Sequence, residues 1–289
     1  DGVTDPSLVL PAIAGALGIP DEPGRPLADR LVEDLGRHPA LLVLDTVEHL
    51  RAAGPILAEL LARAPAVVAV ATSRVALGIP NERIAWVEPL EAPGPGETDA
   101  AAMAASPSVA LFLAHARVAR PDLDPTPETL TAVAEICRRL DGIPLAIELA
   151  AAAVRVVAPY QLLDQLRERL AHDATGVDGD RPERRRSLRA AMDWSVGLLT
   201  PAAARLYRRL AVFAGPFDLD TVAAVLEGGE RRGLLPLDAP VEGLLDELAS
   251  SSLIRRAEGP RTVWVLLTTV RGDALDRLER AGEAVAMRW

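Results

Sequence analysis

The sequence predicts a partial parallel α/β sheet over 1–92, an all-α helical domain over 107–171, and a winged-helix domain over 187–289. Three observations carry that reading. Two short apolar runs, 40–44 and 66–71, are separated by about one helix of amphipathic sequence, the pattern of a βαβ unit. From residue 107 onward the apolar positions recur almost wholly at helical spacing. Near the end, two runs of strand character flank Glu258-Gly259-Pro260, a turn signal that follows several helices.

Composition narrows the class. At 289 residues the chain is long enough for about two domains, and 49% hydrophobic with 25% charged residues is ordinary globular composition rather than a disordered one. Aromatics are only 3%, so Leu, Val and Ala must build the core, which suits helices better than a β-sandwich. The formal charge of −10 counts against nucleic-acid binding through a broad basic surface. Cys137 is the single cysteine, so no intramolecular disulfide and no Cys-rich zinc site can form. No apolar run approaches the roughly 20 residues of a spanning helix, and no basic-then-apolar signal opens the chain; the expectation is a cytoplasmic location with no membrane partner. Every cationic side chain is arginine, so a lysine Schiff base or a phosphate-binding lysine cannot come from these residues.

Taken in order, 26–38 read as an amphipathic helix on Leu27, Leu31 and Leu35. The run 40–44 reads as a strand buried on both faces. After Asp45 the period turns helical through Leu61; a second strand ends at Thr72-Ser73-Arg74, and a third, weaker strand is expected near 84–87. Residues 91–106, rich in Pro, Gly, Ala and acids, read as a linker. Helices are expected at 107–119, 127–140, 144–155 and 158–170, with a polar loop over 172–186. Further helices are expected at 187–198, 201–213, 218–226 and 240–250, the second opened by Thr200-Pro201. Strands over 252–256 and 262–267 and a last helix from Thr268 complete the pattern.

The residues able to carry chemistry gather where parallel strands end, because ligands of open α/β sheets bind at the carboxyl edge. Leu41-Leu42-Val43-Leu44-Asp45 is an apolar strand ending in a carboxylate, the Walker B arrangement that places an acid beside Mg²⁺ in P-loop hydrolases. The same acid would serve equally well as a helix cap, and Glu48, three residues on, has the spacing of a capping box as well as of a group that orients water. Arg74 ends the neighbouring strand, where a guanidinium can meet a terminal phosphate; a solvated arginine is the simpler alternative. Gly142 and Pro144 are fully accounted for as the end of one helix and the start of the next. Arg181, Arg184, Arg185, Arg186 and Arg189 form a basic cluster without interleaved aromatics, read as a solvated linker. His38, His49, His115 and His172 show no metal-ligand spacing, and Cys137 reads as inert core.

Together, LLVLDTVEHL (41–50), VVAVATSR (67–74), ICRRLDGIPLAIELAAA (136–152), SLRAAMDWSVGLLTPAAARLYRRLAVFAG (187–215) and LLDELASSSLI (244–254) resemble STAND-class predicted ATPases with an NB-ARC-like core. The likeness is to bacterial transcriptional regulators of the LuxR and SARP kinds, and it covers nearly the whole chain. It implies a P-loop-type nucleotide-binding domain, a helical domain and a winged helix, with ATP or ADP and Mg²⁺ as cofactors in the full-length protein. It further implies that Asp45 is the acid holding Mg²⁺, with Thr46 beside it, that Arg74, after Ser73, senses the γ-phosphate, and that Gly142 and Pro144 approach the adenine. The implied partners are a nucleotide, proteins bound through the helical and winged-helix domains, and a nucleotide-dependent oligomer. DNA would be met only through domains outside these residues.

Thr46 stands where the family commonly has Asn or Asp, which leaves Glu48 as the only nearby acid. LLTTVRGDALDRL (266–278) differs from the family's LETVREYALERL at Thr268, Gly272 and Asp273. Residues 1–40 contain no G-x-x-x-x-G-K-[ST], and the expectation is a fragment of a longer regulator with no appreciable ATPase activity of its own. A non-hydrolysing protein-interaction scaffold and a DNA-binding winged-helix protein are the alternative functions.

Overall fold

In the computed structural model the described residues are 3, 5–20, 22, 24–175, 183–257 and 262–287, the side chains of 49, 169–175 and 183–186 excepted. They form two compact units, Asp1–Val87 and Glu88–Trp289.

The first unit runs α1 (Val9–Leu17), α2 (Leu27–Leu35), β1 (Ala40–Leu44), a 3₁₀ helix (Glu48–Ala53), α3 (Gly54–Arg63) and β2 (Val67–Ala71). The βαβ reading holds: β1 and β2 pair in parallel, Ala40 opposite Val67 and Leu44 opposite Ala71. The helix α1 has no counterpart in the periodicity reading, since its apolar residues, VLPAIAGAL, fall on all sides rather than on a stripe. Burial corrects a second expectation. Leu42 and Val67 join the core with Leu31, Leu35, Leu57 and Leu60, but the opposite sheet face carries Leu41 at 62%, Val43 at 67%, Val68 at 61% and Val70 at 50% exposure. A continuous apolar run states that a strand can be covered twice; here described elements cover one face. The third strand is absent. Residues 84–87 pair with no described strand, and Trp86 and Val87 are 81% and 92% exposed.

The second unit is helical. Its elements are α4 (Ala100–Ala105), α5 (Pro107–Ala119), α6 (Pro127–Arg139), α7 (Pro144–Ala152), α8 (Pro159–Thr175), α9 (Glu183–Gly197), α10 (Pro201–Arg209), α11 (Leu219–Glu230), α12 (Val241–Ser250), β3 (Arg255–Ala257), β4 (Val263–Val265), α13 (Thr268–Arg280) and α14 (Ala284–Met287). The sequence start signals operate as chemistry requires. Thr126 and Thr200 cap α6 and α10 by accepting the N–H of Thr129 and Ala203, each with proline in the first turn. Strands β3 and β4 are antiparallel, and the Glu258-Gly259-Pro260 turn lies outside the described residues. One hydrophobic core extends from Met103 in α4 to Ala274 in α13.

Two stretches expected as loops contain helix among their described residues. The expected linker 91–106 contains α4 and is fastened to the helices: Arg138 donates to the carbonyls of Pro93 (3.1 Å) and Gly94 (3.0 Å), and Ser106 Oγ donates to that of Glu91 (2.8 Å). Of the expected loop 172–186, residues 172–175 belong to α8 and 183–186 to α9, and 176–182 lie outside the described residues.

Candidate functional site

Because β1 and β2 are parallel and paired at Leu44–Ala71, Asp45 and Thr72 are the next residues out on neighbouring strands. The ladder continues one step past them: Thr72 N–H donates to the Leu44 carbonyl (2.9 Å), and Val47 N–H to that of Thr72 (3.0 Å). The Thr72 hydroxyl does two things. It donates to Asp45 Oδ1 (2.5 Å) and accepts the N–H of Thr46 (2.8 Å). Thr46 itself holds φ +59°, a left-handed conformation that a β-branched residue adopts only when its surroundings impose it.

Arg74 lies two residues beyond Thr72 and pairs with Glu48 (Nε to Oε1, 3.2 Å); its side chain is 63% exposed. Such a pair contributes about 0–1 kcal/mol, so an anion can compete for this guanidinium at little cost. The helix-capping alternatives for Asp45 and Glu48 are not what forms. The N-cap of the 3₁₀ helix is Val47, without a side-chain bond, while Asp45 turns to Thr72 and Glu48 to Arg74. Ser73 stays local, its Oγ donating to the Val75 carbonyl (2.6 Å) and accepting the Val75 N–H (3.2 Å). Thr72 is the residue that sequence reasoning passed over. Its signal was there: in parallel register, the residue after β2 must face the residue after β1.

Gly142 and Pro144 belong to the second unit. Gly142 has φ +65° and follows α6, and Pro144 opens α7, so the punctuation reading is correct. Gly142 makes a close backbone approach: its carbonyl accepts the Leu90 N–H (2.9 Å), and a Cβ there would fall 2.0 Å from the Leu90 oxygen. Asp141, also left-handed at φ +53°, accepts the Ser187 hydroxyl (2.6 Å). Cys137 is buried, and burial pushes its thiol up to about 12, which keeps it protonated and inert. In the basic cluster, Arg181 and the side chains of Arg184, Arg185 and Arg186 lie outside the described residues; Arg189 is 3.9 Å from Asp193.

The donor set can be matched to a cation and a nucleotide. Among the described residues no group of three or more His, Cys, Asp or Glu converges on a metal position. Asp45 is exposed, and its Oδ2 carries no hydrogen bond among the described residues. One hard oxygen fits Mg²⁺ only where water and phosphate oxygens supply the remaining ligands. No described helix is long and apolar enough to cross a membrane.

No protein-family model matches the chain. It is 36% identical over 289 residues to "Uncharacterized protein Rv0894" of Mycobacterium tuberculosis, covering 99% of this chain and 69% of that protein. It is 40% identical over 284 residues to "Putative HTH-type transcriptional regulator Rv0890c" of the same organism and to its counterpart Mb0914c of Mycobacterium bovis. Those alignments cover 98% of this chain, which spans 30% of the length of these regulators. Among solved structures, an ORC2 protein of Aeropyrum pernix in ADPNP–ADP complexes aligns with 98% of this chain and 77% of its own, at 11% identity. Its TM-score is 0.26, too low to carry an argument.

Proposed function

Since the chain belongs to the family of the Mycobacterium tuberculosis protein Rv0894, we propose that it is the core of a nucleotide-gated switch acting in transcriptional regulation, of the STAND, NB-ARC-like kind. The observation that carries this is a pair of contacts just past the carboxyl ends of two parallel strands, Asp45 with Thr72 and Glu48 with Arg74. An acid and a guanidinium in that position suit a cation–phosphate pair: Asp45 would hold the cation, which would supply charge neutralisation, and Arg74 would meet the terminal phosphate. Glu48 holds Arg74 until a phosphate replaces it. Gly142 and Pro144, which the resemblance assigns to the nucleotide, lie in the second unit, where 187–289 is read as a winged helix. Similarity to proteins named as HTH-type regulators supports the regulatory role, with DNA met by parts of those longer proteins and with protein partners on the helical surfaces. Nucleotide-dependent self-association belongs to the same proposal.

A second reading, a non-hydrolysing interaction scaffold, is favoured by two observations. Thr46 occupies the position after the acid, and no glycine-rich phosphate loop with its lysine occurs in 1–289. The net charge of −10 counts against direct DNA binding by this chain. The test is nucleotide binding and turnover by residues 1–289 beside a polypeptide extended upstream. The expected result is no appreciable turnover by 1–289, Mg²⁺-dependent binding by the longer polypeptide, and loss of that binding in Asp45→Ala. Turnover by 1–289 that vanishes in Asp45→Ala would instead show a site complete without a phosphate loop. Mg²⁺-independent behaviour in both would establish the scaffold.

A further inference from the structure

We propose that Thr72 is a positioning residue that sets the Asp45 carboxylate for its cation, acting through its hydroxyl rather than through contact with the cation. This rests on the reading of Asp45 as the cation-holding acid. The hydroxyl has one proton, and that proton goes to Asp45 Oδ1 at 2.5 Å. Oδ1 is thereby pinned, and Oδ2 is the oxygen without a hydrogen bond among the described residues. An exposed carboxylate without such a partner would sample its rotamers and lose that freedom on binding a cation; a pinned one has already lost it. The Thr72 hydroxyl oxygen accepts the Thr46 N–H at 2.8 Å and so holds Thr46 at φ +59°. Asp45 is thus fixed at both ends, its carboxylate by the hydroxyl and its following peptide by the bond from Thr46.

Thr72 is exposed and contributes little burial, so its replacement leaves the fold in place. Valine matches its shape and lacks the hydroxyl, whereas serine keeps the hydroxyl and loses a methyl. The variants Thr72→Val, Thr72→Ser and Asp45→Asn are to be made in the upstream-extended polypeptide, and the affinity for mant-ADP measured with and without Mg²⁺. In Thr72→Val the enhancement of affinity by Mg²⁺ should fall by about tenfold, the scale on which groups that orient metal ligands act. Its Mg²⁺-free affinity should fall much less than its Mg²⁺-supported affinity, and Thr72→Ser should restore most of the enhancement. Adding Thr46→Gly, which removes the strain at 46, should not rescue Thr72→Val.

Equal loss with and without Mg²⁺, full enhancement in Thr72→Val, or rescue by Thr46→Gly would each overturn the proposal and leave Thr72 a structural tie. An Asp45→Asn variant that keeps the wild-type Mg²⁺ enhancement, or a wild type that shows none, would overturn the underlying reading as well. The Asp45 variant therefore separates the two failures.

Discussion

Arg209 is buried to 1% exposure, and Glu283 answers it through Nε (3.0 Å) and Nη2 (3.3 Å) while also accepting two bonds from Arg208 (3.1 and 2.7 Å). Nη1 of Arg209 is buried without a hydrogen-bond partner, so this guanidinium depends on its carboxylate. Burial acts to raise the Glu283 pKa, but Arg208 and Arg209 outweigh it and hold the carboxyl below its ordinary value of 4.5. A carboxyl depressed in the folded state stabilises fully above its unfolded value; that contribution fades as pH falls below 4.5 and through the lower folded value. Glu283→Gln should cost about 3 kcal/mol at neutral pH, because it leaves a buried charge uncompensated. Denaturant titrations between pH 7 and 3 should show the wild type converging on the variant at the acid end. A pH-independent difference would place the effect in packing instead.

At the scale of elements, the turn between α6 and α7 departs most from ordinary backbone, with Asp141 and Gly142 both left-handed. Helix termination alone would tolerate several residues there. What restricts position 142 is Leu90, whose carbonyl oxygen would lie 2.0 Å from any added Cβ. Gly142→Ala therefore combines backbone strain with overpacking against main chain that is itself tied to α6 by Arg138, and should cost about 2–4 kcal/mol. The loss should appear as a lower urea midpoint with unchanged slope. A cost under about 0.5 kcal/mol would show that the 88–94 segment can lift away. The glycine and the proline after it were legible as punctuation, but the clash partner was not, because Leu90 is 52 positions away and carries no mark of the contact.

At the scale of the whole molecule, two of the few aromatics, Trp194 and Tyr207, bridge elements of the second unit. Trp194 in α9 is 2% exposed and donates Nε1–H to Gln165 Oε1 in α8 (2.6 Å), bridging the stretches 107–171 and 187–289. Tyr207 in α10 is buried, and its hydroxyl reaches Asp273 Oδ2 (2.9 Å) in α13. Asp273 also accepts from Arg277 (2.7 Å), which pairs in turn with Asp193. Asp273 thus serves as the partner of a buried phenol, whose pKa burial raises well above its usual value. Trp194→Ala should destabilise the second unit by about 3–5 kcal/mol, read from thermal or denaturant unfolding of 88–289 followed by circular dichroism. A loss below about 1 kcal/mol would mean that the bridge carries little of the stability.

The sequence by itself determined the local structure and the place of the candidate chemistry. Helical spacing, Thr-Pro starts and two apolar runs fix α2, α3, α5–α13 and the parallel pair, because each depends on residues within a few positions. It also put Asp45 directly after the first strand, whereas Arg74, expected to close the second, lies three residues past its end at Ala71. Only the tertiary structure decided what those groups touch. Asp45 could have capped a helix, and is instead taken by Thr72 because parallel register sets them side by side. Residues 84–87 have the composition of a strand, but a strand exists only where another offers its edge. Leu41, Val43, Val68 and Val70 are as apolar as their buried neighbours yet lie open, for periodicity records what a face can bury and the arrangement of other elements decides whether it does.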